Sequence, residues 1–471
     1  MISETKSEST TSGSALDVEL DILGQQPFLR IYTQISFCFP VPDSSVYPTC
    51  ISTLEKGLGR LSASFPWVAG QVINENASEG NTGVFKIKAF EKTPRLIVKD
   101  LRNDSSAPTM EDLRISGFPI SMLDENVIAP RRTLPGGPDY NPTDPEPVVI
   151  LQANLIEGGL ILTVNGQHGA MDMTGQGEVI RLLSKACRGE AFAFEELTAG
   201  NLNRKTAIPL LDEPFNPGEE LADQIIQPPP PQVPSLDSKP SPPPAPPKAT
   251  WAYFSFSHKS LSALKSYAKQ SVNGATNFIS TDDALSAFIW QSVTRARLPR
   301  LDPADKTRFC RAVDARGCIG APKKYPGILQ NMTYNTNTAQ QLVDEPLGIT
   351  ASKLRSELDP SKLRRRTQAL ATYLNSVPDK STFNFAATVN PAADVMLSSW
   401  AKVNCYDFDF NFELGKPESV RRPRFDPFEC LMYLMPKSRD GEISLAISLR
   451  EEDMERLKED EKFIRYGRYI G

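Results

Sequence analysis

Histidine is the scarcest ionisable residue in this chain, with only His168 and His258 among 471 residues. Near neutral pH, histidine is the side chain best suited to take a proton from an alcohol and return it. Chemistry that requires an imidazole is therefore restricted to these two positions. His258 lies in a polar strand-to-helix junction without a glycine passage or a carboxylate at suggestive spacing, so we expect a surface or capping role for it.

Patterns that would indicate other classes of protein are also missing. The seven cysteines are odd in number and form no CxxC pair, which predicts reduced thiols without metal or catalytic work. No Gly-x-Ser-x-Gly or HExxH motif supports an α/β-hydrolase or a zinc enzyme. A net charge of −5 argues against a nucleic-acid surface.

Long apolar segments are absent as well. Residues 1–15 lack the basic start and apolar core of a secretory signal. No apolar run approaches the ~20 residues that a membrane helix needs. We therefore expect a cytoplasmic protein with no membrane partner, and a monomer is the default oligomeric state.

The length predicts two domains, because a single hydrophobic core rarely grows beyond roughly 250–300 residues. Residues 228–247 are dominated by proline, which fixes φ and removes backbone donors, so this run should be an extended connector. The alternative for this run is a ligand for an SH3 or WW domain. We divide the chain into a disordered tail (1–15), an N-terminal half (16–212), a Pro-rich linker (213–249) and a C-terminal half (250–471).

Both halves show mixed α/β patterns. Strands are predicted at 31–39, 84–90, 148–156, 160–165 and 251–256, and helices at 51–64, 176–187, 260–270, 281–297 and 451–465. The strands at 148–156 and 160–165 should form a hairpin through Glu157-Gly-Gly159. Ser280-Thr-Asp-Asp283 reads as a helix cap rather than as a pair of catalytic carboxylates.

The stretch that ends at His168 is the strongest functional signal. Leu160, Leu162 and Val164 alternate with polar residues, as in a half-buried strand. Apolar residues at helical spacing begin again at Val179, so His168 should sit in a strand-to-helix turn, where side chains are available to ligands. Glycines at positions 166, 169, 175 and 177 predict a tight backbone passage around the imidazole.

Three sequence segments resemble the BAHD acyltransferases, which are CoA-dependent enzymes that acylate alcohols and amines. His168-Gly-Ala-Met-Asp172 resembles their HxxxD signature, and Ser398-Ser-Trp-Ala-Lys-Val403 resembles their SW segment. Asp409-Phe-Asn-Phe-Glu413 is similar to the DFGWG box, with Asn411 and Glu413 in place of two glycines. Within that superfamily, the likeness is greatest to the fungal trichothecene 3-O-acetyltransferases and covers residues 16–471.

The resemblance implies a fold and an activity. The fold would be two chloramphenicol-acetyltransferase-like mixed-sheet halves with a tunnel at their interface. The activity would be transfer of acetyl from acetyl-CoA, as a co-substrate, to the 3-hydroxyl of a trichothecene, with His168 as general base and no metal. Two alternatives stay open, which are an acyltransferase for another fungal secondary alcohol and a catalytically silent binding protein of the same fold.

The resemblance also assigns supporting residues. Asp172 would hold its loop through Arg316, and Asp409 would be architectural beside the CoA tunnel. The expected contacts to CoA come from Ser280, Ser399, Trp400 and Arg421. The loop at 129–147 is a candidate wall of the acceptor pocket.

Overall fold

The computed structural model describes residues 16–136, 141–212, 215–226, 247–272 and 278–471. The expectations for the tail at 1–15 and for most of the Pro-rich run therefore lie outside the described residues. Within the described part the protein is a mixed α/β structure with three sheets, which confirms the predicted fold class. No helix among these residues combines the length and the apolar character that crossing a membrane requires.

The strands of the described residues carry the following bounds: β1 (Asp17–Glu19), β2 (Tyr32–Pro40), β3 (Gln71–Glu75), β4 (Val84–Lys88), β5 (Arg95–Asp100), β6 (Glu146–Pro147), β7 (Val149–Ile156), β8 (Gly159–Gln167), β9 (Ala249–Phe256), β10 (Lys306–Asp314), β11 (Gln330–Thr338), β12 (Val395–Ser399), β13 (Ser419–Arg421), β14 (Leu431–Leu434), β15 (Ile443–Arg450) and β16 (Arg468–Tyr469). The α-helices are α1 (Tyr47–Ser64), α2 (Met110–Ser116), α3 (Glu125–Ile128), α4 (Met173–Cys187), α5 (Phe194–Gly200), α6 (His258–Lys269), α7 (Thr281–Arg297), α8 (Arg316–Ile319), α9 (Ala339–Asp344), α10 (Leu347–Ser356), α11 (Pro360–Ser376), α12 (Glu451–Glu459) and α13 (Glu461–Ile464).

A five-stranded sheet in the order β13-β2-β8-β7-β5 positions the histidine. The predicted hairpin is present as β7 and β8. The two strands pair antiparallel, with Val149 opposite Gly166 at one end and Ile156 opposite Gly159 at the other, and the turn contains Gly158, which has a φ of 68°. The β-branched and aliphatic residues of these strands suit a pleated surface that is packed on both sides.

The prediction that β8 is half-buried is wrong, because all nine of its residues are buried. Its apolar face packs with the main core of α1 and α4. Its polar residues are buried with partners, since Thr163 is hydrogen-bonded to Ser36 at 2.8 Å and Asn165 donates to the carbonyl of Arg131 at 2.9 Å. These hydrogen bonds offset part of the cost of burying polar groups in a sheet interior, although the side-chain oxygen of Asn165 has no partner among the described residues.

A seven-stranded sheet in the order β11-β10-β12-β14-β15-β9-β16 organises the C-terminal half. Helix α7 carries buried residues along almost its whole length and packs with α6 and α10. The single helix predicted at 451–465 is in fact two helices, α12 and α13. Asp460 is extended between them and accepts hydrogen bonds from the amides of Lys462 and Phe463, which caps α13.

The two halves interlock instead of merely touching. The short strand β13 comes from the C-terminal half but pairs antiparallel with β2 at the edge of the five-stranded sheet. Nearby, Phe410 makes edge-to-face contacts with Phe37 and Phe39 of β2 at centroid distances of 5.6 and 6.1 Å. Such aromatic pairs add to the free energy of burial, so this contact helps to fix the geometry between the halves.

Candidate active site

His168 sits between the end of β8 and the start of α4. Its backbone amide donates to the carbonyl of Ile31 at 2.8 Å, which continues the ladder by one more bond beyond β8. The side chain is half-buried and lines a cavity of about 230 Å³ between the two halves. The predicted strand-to-helix turn is confirmed.

The hydrogen bonding of His168 determines which ring nitrogen can act as a base. Nδ1 lies 3.2 Å from the carbonyl oxygen of Met171. A carbonyl oxygen only accepts hydrogen bonds, so Nδ1 carries the proton in the neutral ring and Nε2 keeps its lone pair. The neighbouring carbonyl thus holds His168 in a tautomer that can take a proton through Nε2.

The surroundings also favour the neutral ring. Burial lowers the pKa of His168 from its ordinary value of 6.5, and the charge of Arg422 acts in the same direction. The hydrogen bond to Met171 and the charge of Asp172 oppose this shift without reversing it. At neutral pH the imidazole is therefore unprotonated and able to act as a base.

The cavity around His168 adjoins two others. A smaller one of about 50 Å³ shares Met173, Ala312, Gln330, Ser398 and Trp400 with it. A larger one of about 530 Å³ shares Tyr32, Thr133 and Leu134. These shared walls fit the tunnel that is expected at the interface of the halves.

Asp172 does not serve His168 directly but joins the two halves. Arg316 donates from Nη1 and Nη2 to the two carboxylate oxygens of Asp172, each at 3.0 Å. Asp172 also accepts from the backbone amides of Gly175 at 2.8 Å, as the N-cap of α4, and of Leu329 at 2.8 Å. The residues are 2% and 1% exposed, and bidentate pairing of this kind fixes orientation.

The rest of the Arg316 side chain is equally satisfied. Its guanidinium donates to the carbonyls of Tyr325 at 2.9 Å and Gly327 at 2.7 Å, and to the carboxylate of Asp314 at 2.8 Å. The turn that carries His168 is thereby tied to segment 314–327 of the C-terminal half.

The glycines near His168 serve close packing and not unusual backbone angles. A Cβ on Gly175 would lie 2.2 Å from the carbonyl oxygen of Pro326, and one on Gly177 would lie 2.4 Å from a methyl of Val403. None of the four glycines in this region has a positive φ. The predicted close passage is present. The close contacts at Gly175 and Gly177 are with residues of the C-terminal half, whereas we expected these glycines to leave space beside the imidazole.

The segment similar to the DFGWG box keeps left-handed backbone angles at the two positions where the family has glycine. Asn411 and Glu413 have φ of 58° and 62°, a region that is costly for residues other than glycine. Asp409 supports the turn by accepting from the amide of Asn411 at 2.8 Å, and its own carbonyl accepts from Arg188 at 2.6 Å. The architectural role of Asp409 agrees with these contacts and stays a prediction.

The residues expected to contact CoA are only partly gathered. Trp400 is 2% exposed and lines both the His168 cavity and the smaller cavity of about 50 Å³. Ser399 lines the smaller cavity. Ser399 donates to Asp282 at 2.7 Å. Ser280 is the N-cap of α7 in a capping box with Asp283, so its hydroxyl is already engaged.

Arg421 is placed away from the cavities, contrary to expectation. Its buried guanidinium donates to the carbonyls of Phe118 at 3.1 Å, Gly117 at 3.3 Å and Val420 at 3.2 Å and to the hydroxyl of Tyr406 at 3.4 Å, so the protein itself occupies most of its donors. The next residue, Arg422, lines the His168 cavity instead. Sequence reasoning missed it because adjacent arginines look alike until the register of β13 assigns them to different faces.

His258 is exposed at the start of α6, as expected. Among the described residues no group of three His, Cys, Asp or Glu side chains is arranged to hold a metal ion.

Comparison with known proteins places this geometry in a family. A model described as the Transferase family matches residues 138–464, and one described as the trichothecene 3-O-acetyltransferase-like N-terminal domain matches residues 31–187. The chain belongs to the Transferase family. The resemblance to BAHD acyltransferases is thereby confirmed.

Individual relatives cover the chain almost end to end. Trichothecene 3-O-acetyltransferase TRI101 of Fusarium sporotrichioides is 61% identical over 98% of this chain and 99% of its own length. O-acetyltransferase dmxR13 of a Cryptosporiopsis species is 56% identical over 98% of this chain and 100% of its own. The crystal structure of F. sporotrichioides TRI101 complexed with coenzyme A and T-2 matches with a TM-score of 0.91 at 60% identity, covering 97% and 100% of the two chains.

Proposed function

We propose that this acetyltransferase moves the acetyl group of acetyl-CoA onto the 3-hydroxyl of a trichothecene, with His168 as the general base. The observation that carries the proposal is the neutral His168, whose Nδ1 faces the carbonyl of Met171, in a cavity that shares lining residues with two others. The likeness to a trichothecene 3-O-acetyltransferase at 61% identity supports the acceptor class.

The geometry supports direct transfer between the two substrates. Nε2 of His168 takes the hydroxyl proton while the acceptor oxygen attacks the thioester carbonyl carbon. The tetrahedral intermediate then collapses, the C–S bond breaks, and the CoA thiolate takes the proton back from the imidazolium. Atoms and charge balance without a covalent acyl-enzyme.

The cysteines do not compete for the acyl group. All seven lie in the described residues and are unpaired, and none lines the His168 cavity. Burial raises the pKa of each thiol, which suppresses the nucleophilic thiolate. Unpaired, buried thiols also support a cytoplasmic location, which we include in the proposal.

The two histidines provide a matched experiment. We would measure CoA released from acetyl-CoA in the presence of T-2 for the wild type, His168→Ala and His258→Ala. Loss of a general base should lower the rate by about 100-fold or more in His168→Ala, whereas His258→Ala should match the wild type. Equal rates for wild type and His168→Ala would remove the general-base role.

One observation keeps a second acceptor class open. The relative dmxR13 is 56% identical over the full chain and is named only as an O-acetyltransferase. If the wild type acetylates other secondary alcohols but not T-2, the chemistry stands and the trichothecene assignment falls. No CoA release with any alcohol would favour a binding protein of the same fold.

A further inference from the structure

Arg422 is a buried cation in the wall of the reaction cavity. It follows directly after β13, is 2% exposed and lines the same cavity as His168. Among the described lining residues, it is the one that carries a permanent charge. A charge in such a place is costly unless it is paired or used.

The surroundings of Arg422 are mostly aromatic. Its guanidinium carbon lies 4.4 Å from the ring centre of Phe425, 4.6 Å from that of Tyr433 and 5.6 Å from that of Trp400. Cation–π contact partly replaces the lost hydration. The buried carboxylate of Glu125 ion-pairs at 3.7 Å with Arg132 and not with Arg422.

The hydrogen-bonding capacity of Arg422 is largely unused. Nη2 donates to the hydroxyl of Thr133 at 3.2 Å, and Nη1 donates weakly to the carbonyl of Gln34 at 3.5 Å. The buried Nε has no acceptor. A guanidinium has five N–H donors, so three of those of Arg422 have no acceptor in the described part of the chain.

A second layer balances the charge and holds the side chain. Glu125, which is 2% exposed, accepts from the side chain of Gln34 at 2.9 Å and from the amide of Thr133 at 2.7 Å. These are the same two residues to which Arg422 donates. Glu125 is thereby linked to Arg422 through one intervening residue. Glu125 also ion-pairs with Arg132, which in turn pairs with Asp426, so two acidic and two basic side chains balance one another in this network.

We propose that Arg422 selects the acceptor by donating a hydrogen bond to a neutral oxygen of the bound alcohol, such as an ether, ester or ketone oxygen, apart from the hydroxyl that reacts. The inference deepens the proposed function and depends on His168 acting in this cavity. A neutral oxygen is the fitting partner because the charges of Arg422, Arg132, Glu125 and Asp426 already sum to zero. An alcohol without such an oxygen leaves the donor buried and unpaired, which is the basis of strong discrimination.

The test compares acceptors that differ by one oxygen. We would measure kcat/KM with acetyl-CoA for secondary alcohols on one rigid ring skeleton, each bearing a single ether or ketone oxygen at a different position, and for the parent lacking it. The wild type should prefer at least one oxygenated isomer over the parent by about 10- to 100-fold, the range for a hydrogen bond to a charged group. In Arg422→Met this ratio should collapse toward one, and Arg422→Lys should lie between.

Arg424→Met is the matched control, because Arg424 lies two residues away, is exposed and pairs with Asp124 at the surface. It should keep the wild-type ratio. An equal loss for all acceptors in Arg422→Met, or a raised KM for acetyl-CoA with an unchanged ratio between acceptors, would overturn the proposal, since each indicates a role outside acceptor selection. Turnover of T-2 is measured separately, so its failure would refute the trichothecene assignment while the ratio still decides the role of Arg422.

Discussion

The buried pair of Asp172 and Arg316 provides the sharpest test of how the two halves build the site. Arg316→Met removes the two hydrogen bonds of 3.0 Å to Asp172, together with those to Tyr325, Gly327 and Asp314, and leaves a carboxylate of 2% exposure without its cation. Deleting one partner of a buried pair costs about 3–5 kcal/mol. Per-residue unfolding entropies give about 1 kcal/mol per degree for 471 residues, so we expect Tm to fall by about 3–5 °C.

The variants Arg316→Met, Asp172→Asn and the double mutant form a cycle that isolates the pair. Asparagine at position 172 keeps an oxygen for the amide of Gly175, so the cap of α4 survives. Each single variant leaves one buried charge or polar group without its partner, but the double mutant leaves no charge. Its Tm should therefore exceed the value expected from adding the single effects by about 1–3 °C, corresponding to a coupling of about 1–3 kcal/mol.

Catalytic activity should also depend on the pair of Asp172 and Arg316. The turn from His168 to Asp172 is anchored through Arg316, and a misplacement of about 1 Å can cost about 100-fold in rate. We expect kcat of Arg316→Met to fall by about 10- to 100-fold at temperatures well below Tm. The control is Arg365→Met, whose pair with Glu220 is largely exposed at 3.9 Å and should leave Tm and kcat unchanged.

Differential scanning calorimetry and the CoA-release assay measure these quantities. The reasoning is refuted if Tm shifts in the cycle are simply additive and kcat of Arg316→Met stays within twofold of the wild type.

Three further results are expected. Because burial lowers the pKa of His168 and the base must be unprotonated, kcat/KM should rise with pH through a midpoint below 6.5 and be flat above about pH 7. Gly175→Ala places a methyl 2.2 Å from a backbone oxygen of the facing half, so it should lower Tm by several degrees and reduce kcat, whereas Gly59→Ala, in open space within α1, should raise Tm slightly. Glu413→Gly relieves a left-handed residue and should raise Tm by about 1 °C, corresponding to about 1 kcal/mol, while Glu55→Gly within α1 should lower it by a similar amount.

Each of these results has an outcome that contradicts it. A midpoint above 6.5 would mean that burial does not lower the pKa of His168 in the free enzyme. An unchanged Tm in Gly175→Ala would mean that the two halves can separate there without cost. A lower Tm in Glu413→Gly would mean that the glutamate side chain stabilises the turn by more than the strain that it introduces.

The sequence by itself determined the local features of this protein. The change from period two to period 3.6 placed His168 in a turn between a strand and a helix, and the hairpin through Gly158 followed from the same pattern. Ser280 and Asp283 form the cap that their spacing predicted. These features depend on residues a few positions apart, whose interactions are set by backbone geometry and short-range hydrogen bonds.

Only the tertiary structure decided what surrounds the histidine. Periodicity could not reveal that the polar face of β8 is buried, or that β13 crosses to the sheet of the other half. Nor could periodicity distinguish Arg421, which donates hydrogen bonds to backbone carbonyls, from Arg422, which lines the cavity. Both arginines have the same chemistry and nearly the same neighbours in the chain. Their roles differ because strand register and long-range packing turn them toward different partners, and both depend on residues hundreds of positions apart.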